Sequence, residues 1–500
     1  MTANLRDVLT EYPPAMLGAI ADGWRISLTD EQLPEIIARL VTEMTRPENF
    51  ESVLRRLSDH EKAALAFLAA HEQVRAHIFT RRYGQVRRMG PGRLEWEAAW
   101  REPVSVAERL WFLGLIYRTF AVDGEYHGEV FAVPVDLRSL LPAMEAALPR
   151  FEVQVVAEPS CVEDERDALA RDLFAVLAHL RNNDVRSKKG VLARHEFDRL
   201  RHRLARTDHA RLQFLWRLAQ QAELVQWADQ LWMPAQQAAP WLKRDALSRQ
   251  RLLFETWLAD AGWNELCAMP SVRCEDTGWR HDPVLPRRAL RRHLDACPAN
   301  VWLALDSLVD AVYDTDPDFM RPDGDYQSWY IRGVEDGRYL LGFDSWGKLE
   351  GALIRYLLEH ALFWLGVIAL GKAQEAEPAT AIRVSATGSA LLSGEGAPTG
   401  VADAARREEA AARIVLSSDL SILVPGAASW YDRFLVERFA RWVEDTRGGA
   451  RYVMDAPSLK RALSRGVAVP QIENFLARVS GGRVPAKVQR ALKSWGGSSA

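Results

Sequence analysis

Apolar and polar positions along this chain repeat one pattern three times. Each copy has an amphipathic helix with an apolar end, followed at once by two runs that favour strands. The apolar spacing changes from about 3.6 residues to 2 at each helix end, which predicts helices followed by a β-hairpin. The helix and the two strands are predicted over 107–115, 116–122 and 129–134; over 211–223, 224–227 and 230–234; and over 349–365, 367–371 and 381–387.

Helices followed by a two-stranded wing are typical of winged-helix modules, which mostly bind nucleic acid or other proteins. Other local signals agree with a largely helical chain. Residues 33–44 place six apolar side chains on one helical face, and Ser58 with Glu61 forms a predicted capping box. The sequence therefore predicts a mainly α (α+β) fold, with tandem winged-helix-like units and a compact C-terminal α+β domain.

Five hundred residues are too many for one hydrophobic core, so several domains are expected. Small and polar residues at 394–411 predict a linker before the last domain. In that domain we expect a strand at 420–424 and helices at 429–445, 457–465, 470–479 and 485–495. The predicted domains are an N-terminal helical and winged-helix domain at 1–142, a second winged-helix-like domain at 165–240, a helical connector at 241–300, a third winged-helix-like domain at 301–393 and the C-terminal domain at 412–496.

The composition has the balance of a globular protein, with 48% hydrophobic and 26% charged residues. Its formal charge is −3, so any surface for nucleic acid must be local. The first residues lack the pattern of a signal peptide, and the longest apolar stretch, 361–370, is half of a membrane span. Four cysteines without a C-x-x-C motif argue against a disulfide scaffold. We expect a cytoplasmic protein with no membrane partner.

Two motifs suggest chemistry, and neither is convincing. The segment from Gly342 to Lys348 matches G-x-x-x-x-G-K of a phosphate-binding loop, but Leu349 stands where Ser or Thr would hold Mg²⁺. A turn before a packed helix is the favoured interpretation. No nucleophile, metalloprotease or calcium-loop motif occurs, so the sequence predicts no enzyme, cofactor or metal. Five residues could supply zinc ligands, but their spacing fits no compact finger, and buried or incidental thiols are the preferred interpretation: Cys267, Cys274, His281, His293 and Cys297.

Local excesses of basic residues are the stronger signal, because backbone phosphates attract such patches. Residues 181–217 contain eleven Lys or Arg and four acids (11 − 4 = +7), and 459–500 contain eight and one (8 − 1 = +7). A smaller cluster lies where we expect the recognition helix of the first winged-helix unit. The residues predicted to contact DNA phosphates are Arg81, Arg82, Arg87 and Arg88 in the first unit, and Lys188, Lys189, Arg199, Arg203 and Arg206 in the second.

Three stretches resemble a known family. LSDHEKAALAFLAAHEQVRAHIFTRRYGQVRRMGPGRLEWEAAWREPVSVAERLWFLGLIYRTF is similar to the N-terminal region of bacterial helicase-associated proteins, and WLADAGWNELCAMPSV, RPDGDYQSWYIRG and SWGKLEGALIRYLLEHALFWLGVIALG are similar to their middle region. The stretch that begins DLSILVPGAASWYDRFLVERFARW resembles the N-terminal domain of XPB-type DNA helicases. In that domain a strand pair precedes a Ser-Leu-x-x-Ala-x-x-x-Gly helix, here Ser458 to Gly466.

The resemblance implies a non-catalytic module that accompanies a helicase or other DNA-processing machinery. The chain departs from full helicases because it lacks a Walker A motif, a D-E-A/x-H box and the arginine-finger motif. We therefore expect a DNA-binding accessory protein, acting on duplex or forked DNA beside a separate helicase or nuclease, in DNA repair or phage defence. The alternative is a protein-interaction scaffold whose winged helices dock a partner without touching DNA.

Overall fold

The computed structural model describes residues 3–28, 32–123, 126–142, 150–186, 190–277, 281–394 and 412–496. The chain divides into two compact units. The first unit comprises residues 1–151 together with 314–328, and the second comprises 152–313 and 329–500. The described residues are mainly helical with several small antiparallel sheets, which confirms the predicted fold class.

Helices form most of the first unit. Pro at the first turn begins several of them, and the predicted capping box begins one: Ser58 accepts from the Glu61 amide while the Glu61 carboxylate accepts from the Ser58 amide. The predicted helix over 33–44 is confirmed. The helices are α1 (Leu5–Thr10), α2 (Pro14–Trp24), α3 (Leu33–Met44), α4 (Pro47–Arg56), α5 (Asp59–Ala69), α6 (Ala76–Tyr83), α7 (Pro91–Glu97), α8 (Val106–Phe112) and α9 (Val135–Arg138).

The first winged-helix unit follows the order helix, strand, three helices, hairpin. Its strands are β1 (Val74–Arg75), β2 (Tyr117–Asp123) and β3 (Tyr126–Ala132), arranged antiparallel in the order β1-β3-β2. Helix α5 precedes β1, helices α6 to α8 lie between β1 and β2, and α8 occupies the position of the recognition helix directly before the wing. Sequence reasoning placed the Arg81–Arg88 cluster there, and this placement is wrong.

The second winged-helix unit has the same order, with two helices instead of three between its first strand and its hairpin. Helix α10 (Ala168–Asn182) leads to strand β5 (Val185–Arg186), helices α11 (Arg194–Leu200) and α12 (His209–Gln221), and the hairpin. The sheet order is β5-β7-β6, which is the order found in the first unit. The hairpin strands, within one residue of the prediction, are β6 (Val225–Ala228) and β7 (Leu231–Pro234).

The third winged-helix unit also has this connectivity, but it draws on residues outside the predicted range. Its first helix is α16 (Val284–Asp295), which belongs to the stretch predicted as a connector. Its three strands lie in the order β9-β12-β11, and an additional strand, β4, pairs with β11. The elements of this region are β4 (Cys161–Glu163), α13 (Ala238–Leu242), α14 (Ala246–Ala259), α15 (Glu265–Ala268), β8 (Val272–Cys274), α16, β9 (Trp302–Ala304), α17 (Leu305–Thr315), β10 (Ile331–Gly333), α18 (π-helical Gly347–Gly351, α-helical Ala352–Leu357 and π-helical Leu358–Leu362), β11 (Ile368–Lys372), β12 (Ala381–Val384) and α19 (Ala386–Ser393).

The predicted range 301–393 contains one further error. Residues 314–328, which lie inside this range, belong to the first compact unit. There the carboxylate of Asp318 accepts from Arg81 and pairs with His77, both on α6. A hydrophilic loop with several aspartates carries no local sequence signal for such a distant partner.

One backbone feature recurs in all three units, at the C-terminal end of the helix that precedes the wing. Gly114, Glu223 and Gly366 each adopt a left-handed conformation, with φ of 63°, 53° and 70°. The residue that follows each of them donates its amide to a carbonyl five positions earlier: Leu115 to Leu110, Leu224 to Ala219, and Val367 to Leu362. This is the hydrogen bond of a Schellman motif. It turns the chain out of the helix and directly into the first strand of the wing.

The C-terminal domain is a four-stranded antiparallel sheet packed with four helices. The strands are ordered β13-β14-β16-β15. The helix predicted over 429–445 is too long: it ends at Val436, and the alternating sequence from Arg441 forms a strand that turns back at Gly448 and Gly449. The elements are β13 (Val415–Leu416), β14 (Ser421–Pro425), α20 (Trp430–Val436), β15 (Arg441–Thr446), β16 (Gly449–Val453), α21 (Ala456–Ser464), α22 (Val469–Ser480) and α23 (Ala486–Gly496).

Residues 395–411, which hold most of the predicted linker, lie outside the described residues. Within the described part of the chain, no helix has both the length and the apolar composition needed to cross a membrane.

Candidate nucleic-acid interface

Two of the four arginines predicted as phosphate contacts in the first unit are anchored to buried carboxylates. Arg81, on α6, donates to Asp318 at 2.7 Å, and the Asp318 side chain is only 4% exposed. Arg87 donates through Nε and Nη2 to Glu108 at 2.8 Å each, and the Glu108 side chain is fully buried. Leaving a buried carboxylate without its partner is costly. These two arginines therefore hold the unit together in this structure.

The other two arginines of this cluster are exposed. Arg88 has a side chain that is 75% exposed, with one hydrogen bond of 2.9 Å to Glu129. The guanidinium carbon of Arg82 lies 5.4 Å from the centre of the Phe67 ring and 5.6 Å from that of Tyr83. An anion can therefore bind both side chains without separating an arginine from a buried carboxylate, as it would have to at Arg81 or Arg87.

The cluster predicted in the second unit divides in the same way. Arg203 makes two hydrogen bonds to Glu437, and Arg206 bonds to both Glu163 and Glu165. Arg199 is 62% exposed and lies 3.3 Å from Glu196, whose carboxylate is already paired with His179. Lys188 and Lys189 lie outside the described residues.

Arg206 belongs to a network of three cations and three carboxylates that joins the second and third winged-helix units. Arg211 is completely buried and donates to Glu165 at 2.8 Å and to Asp172 at 2.5 Å, while Lys372 donates to Glu163 at 2.5 Å. Burial raises the pKa of Asp172. Burial also acts to raise the pKa of Glu163, but hydrogen bonds from Lys372 and Arg206 outweigh it, so the pKa of Glu163 is lowered. The network is balanced in charge, so Arg206 is a structural residue here.

A winged helix reads DNA with the helix that directly precedes its wing, and in two of the three units this helix is largely buried. In the first unit, α8 is buried at Ala107, Leu110 and Phe112. Beyond its C-terminal end, Trp24 of α2 donates to the Leu113 carbonyl at 2.7 Å. In the third unit, α18 buries most of its length, including Leu349, Leu353 and Leu357. These helices pack mainly into the hydrophobic cores of their own units.

Helix α12 of the second unit keeps a free outer face. His209 and Gln213 are exposed, and Arg217 and Gln220 are half-buried beside them. Arg217 is neutralised by Asp260, to which it donates two hydrogen bonds of 2.6 Å. The outer face of α12 is therefore polar and has little net charge.

A group of exposed cations lies in the C-terminal domain, in the second basic cluster of the sequence. Helix α23 buries Val488 and Leu492 in the domain core and presents its charges on the opposite side. Among the described residues, none of these cations makes an ion pair, in contrast to most of those chosen from the sequence. We name them the C-terminal cationic surface: Arg483, Lys487, Arg490 and Lys493.

One acidic residue lies close enough to this surface to be influenced by it. The pKa of Asp419 is lowered mainly by hydrogen bonds from the hydroxyl and amide of Ser421, with a smaller contribution from the charge of Lys487. Asp419 already accepts those two bonds and makes no ion pair with Lys487. The surface therefore retains its positive charge.

The two chemical motifs of the sequence have ordinary structural explanations. Trp346 is buried against Gly351 and Tyr313. A phosphate-binding loop follows a parallel strand, whereas the Gly342–Lys348 loop follows an isolated antiparallel bridge at Tyr339. Cys267 and Cys274, predicted to be buried or incidental thiols, form a disulfide. Among the described residues, no three His, Cys, Asp or Glu side chains are grouped to hold a metal ion.

Comparison with known proteins gives no family. No protein-family model matches the chain, and no curated protein is similar to it at a significant level.

Proposed function

We propose that the chain is a non-catalytic accessory protein that binds nucleic acid through the phosphate backbone, mainly at the C-terminal cationic surface. The observation that carries this proposal is the contrast between two kinds of arginine. Arg81, Arg87, Arg203 and Arg206 are paired with carboxylates, whereas the four cations of the C-terminal surface are exposed and unpaired within the described residues. Phosphates bind an unpaired cation without first breaking an ion pair.

The proposed contact positions nucleic acid and does not read its sequence. Lys487, Arg490 and Lys493 recur every three residues, and side chains at that spacing share one side of a helix. Contacts from Lys and Arg to phosphate oxygens fix the position of the nucleic acid and carry no sequence information. Arg82, Arg88 and Arg199 remain candidate secondary contacts.

The wider role rests on the family resemblance. We propose that the protein acts in the cytoplasm on duplex or forked DNA, with a separate helicase or nuclease as partner, in repair or phage defence. Three tandem winged-helix units and the resemblance of the last domain to that of XPB-type helicases support this role. A pull-down with and without nuclease treatment separates a partner bound directly from one bridged by DNA.

Fluorescence anisotropy with labelled duplex and forked DNA tests the binding surface. The variant K487E/R490E/K493E should lose most of its affinity at low salt. For the unchanged protein, affinity should fall by orders of magnitude between ~50 and ~200 mM salt. In the variant, the slope of log affinity against log salt should become shallower by about 0.9 for each phosphate that is no longer neutralised.

The matched control is R6E/R244E/R288E, which reverses three other exposed arginines that make no ion pair among the described residues. This control should bind almost as the unchanged protein does. If both variants weaken binding equally, only total charge matters and the proposed surface is wrong. If the unchanged protein does not bind DNA even at low salt, nucleic-acid binding itself is wrong.

A protein-interaction scaffold is the second candidate. The burial of α8 and α18 favours it, because two of the three winged helices use their third helix for internal packing and not for a groove of DNA. This candidate predicts a partner that remains bound after nuclease treatment and at high salt.

A further inference from the structure

A groove of about 650 Å³ lies on the second winged-helix unit, between its second and third helices. It is bounded by α11, by α12 and by the chain that leads into α11. Its volume is in the range of sites that hold a small ligand or a few peptide side chains. Of the three described helices that directly precede a wing, α12 is the one with an exposed outer face. The groove beside it is therefore the part of the winged-helix array best placed for a partner.

The floor of the groove is apolar and rigid. Phe197, Leu212 and Trp216 are buried and line it. Trp216 packs edge-on against Trp232 with ring centres 4.8 Å apart, and its indole N–H donates to the Gly190 carbonyl. The floor is therefore held by tertiary packing and does not need a ligand to form.

The rim of the groove is cationic. Arg194 and Arg201 are exposed and make no ion pair within the described residues, and His209 lies on the opposite helix. Arg217 contributes no net charge because Asp260 neutralises it. Asp198 is the one carboxylate among the lining residues, so the rim keeps an excess of positive charge.

A nucleobase fits this arrangement poorly. Recognition of an unpaired base needs an open aromatic face for stacking. Trp216 is only 5% exposed, so its ring offers no free face, and Trp263 is half-buried and packs against Phe214 with ring centres 5.8 Å apart. An apolar floor beside unpaired guanidinium groups instead matches a peptide whose apolar side chain is flanked by carboxylates, because Arg pairs well with carboxylate in a partly dry setting.

We propose that this groove binds a short acidic segment of a partner protein, with an apolar side chain on the floor and carboxylates at Arg194 and Arg201. The site is distinct from the C-terminal cationic surface and does not depend on nucleic-acid binding. It assigns to the second winged-helix unit a protein-docking role, with acidic, apolar-anchored peptides as the class of ligand.

An array of short synthetic peptides tests the proposal with the full-length protein. Each peptide places Leu, Phe or Trp among Asp and Glu, and each has a counterpart in which Asn and Gln replace the acids. Bound peptides are then measured by anisotropy against R194E/R201E, against Q213W, which fills the groove from the exposed face of α12, and against the control R244E/R288E. We expect binding of acidic peptides only, weakened at least about tenfold by R194E/R201E and by Q213W, and unchanged in the control.

Other outcomes overturn the proposal. If acidic peptides bind no better than their amide counterparts, the rim does not select carboxylates. If R194E/R201E instead weakens binding of a labelled single-stranded oligonucleotide while no peptide binds, the groove belongs to nucleic acid. These results are independent of the K487E/R490E/K493E experiment, so either proposal can fail while the other stands.

Discussion

Arg203 and Glu437 form a two-point ion pair across 234 residues of sequence. Nη2 of Arg203 lies 2.6 Å from Oε1 of Glu437, and Nη1 lies 3.1 Å from Oε2. The same carboxylate accepts from the Tyr452 hydroxyl at 2.8 Å, and the guanidinium lies over the Trp442 ring. The pair therefore fixes the second winged-helix unit to the C-terminal domain.

Truncation of this arginine should destabilise the protein. R203A leaves the carboxylate of Glu437, 5% exposed, without its main cation. We expect a loss of about 3–5 kcal/mol in the free energy of unfolding, measured by urea denaturation, because an unpaired buried charge remains. E437Q should cost less, and the double variant R203A/E437Q should cost less than the sum of the two.

The control for this experiment is R199A, which removes an exposed arginine four positions away. It should change stability by less than about 1 kcal/mol. If R203A keeps its stability but loses affinity for DNA, Arg203 contacts phosphate as the sequence suggested, and its structural role is minor.

The left-handed residue at the helix end predicts stability changes of opposite sign for substitutions at Glu223 and Gly366. Glu223 is strained by a positive φ that Gly114 and Gly366 adopt freely, and its side chain is exposed. E223G should therefore stabilise the second unit by about 1 kcal/mol. G366A should destabilise the third unit by more than that, since a Cβ there would lie 1.9 Å from the Arg166 carbonyl oxygen.

Thermal unfolding of the two variants checks this prediction. E223A is the matched control, because it removes the carboxylate and leaves the left-handed strain. If E223A and E223G raise the melting temperature equally, the gain comes from charge and not from the backbone.

The winged-helix repeats were predictable because their signal is local. The change from helical to alternating periodicity lies within a few residues at each helix end, and the observed hairpin strands begin within three residues of their predicted positions. The strand from Arg441 was missed because its neighbours up to Val436 continue a helical pattern. The Gly448-Gly449 turn was the signal that would have revealed it.

The interface was harder to predict, since counts of charge along the chain do not show which cations are paired. The partner of Arg203 lies in another domain, and that of Arg81 lies in the 314–328 segment. Helix α23 was recognisable in principle: Val488 and Leu492 define its buried side, and its cations lie opposite. Periodicity applied to charge, and not only to apolar residues, would have selected it.

The first compact unit should lose stability in acid through Asp318. Burial alone would raise the pKa of this carboxyl, but hydrogen bonds from His77 and Arg81 lower it to about 2. A carboxyl with a lowered pKa contributes stability above its unfolded pKa of about 4, and this contribution is lost as the pH falls toward 2. We expect it to be on the order of 2 kcal/mol at neutral pH.

Comparison of D318N with the unchanged protein tests this pH dependence. At pH 7 the variant should be less stable, and hydrogen exchange of the α6 amides should be faster. The difference between the two proteins should shrink as the pH falls from about 4 toward 2. A difference that stays constant over this range would show that Asp318 contributes through packing and not through its charge.

The four cysteines should divide into one disulfide and two thiols. Cys267 and Cys274 are bonded, whereas Cys161 and Cys297 are free. Burial raises the pKa of Cys297 to about 11, so in the native protein its thiol should react with iodoacetamide more slowly than that of Cys161. Protein isolated without reductant and then denatured should take up two alkyl groups, and four after reduction, as measured by intact mass. Removing the bond with C267S/C274S should cost at most about 2.5 kcal/mol, because the closed loop is short. Uptake of four groups without reduction would show that the pair is a dithiol, as the proposed cytoplasmic location favours.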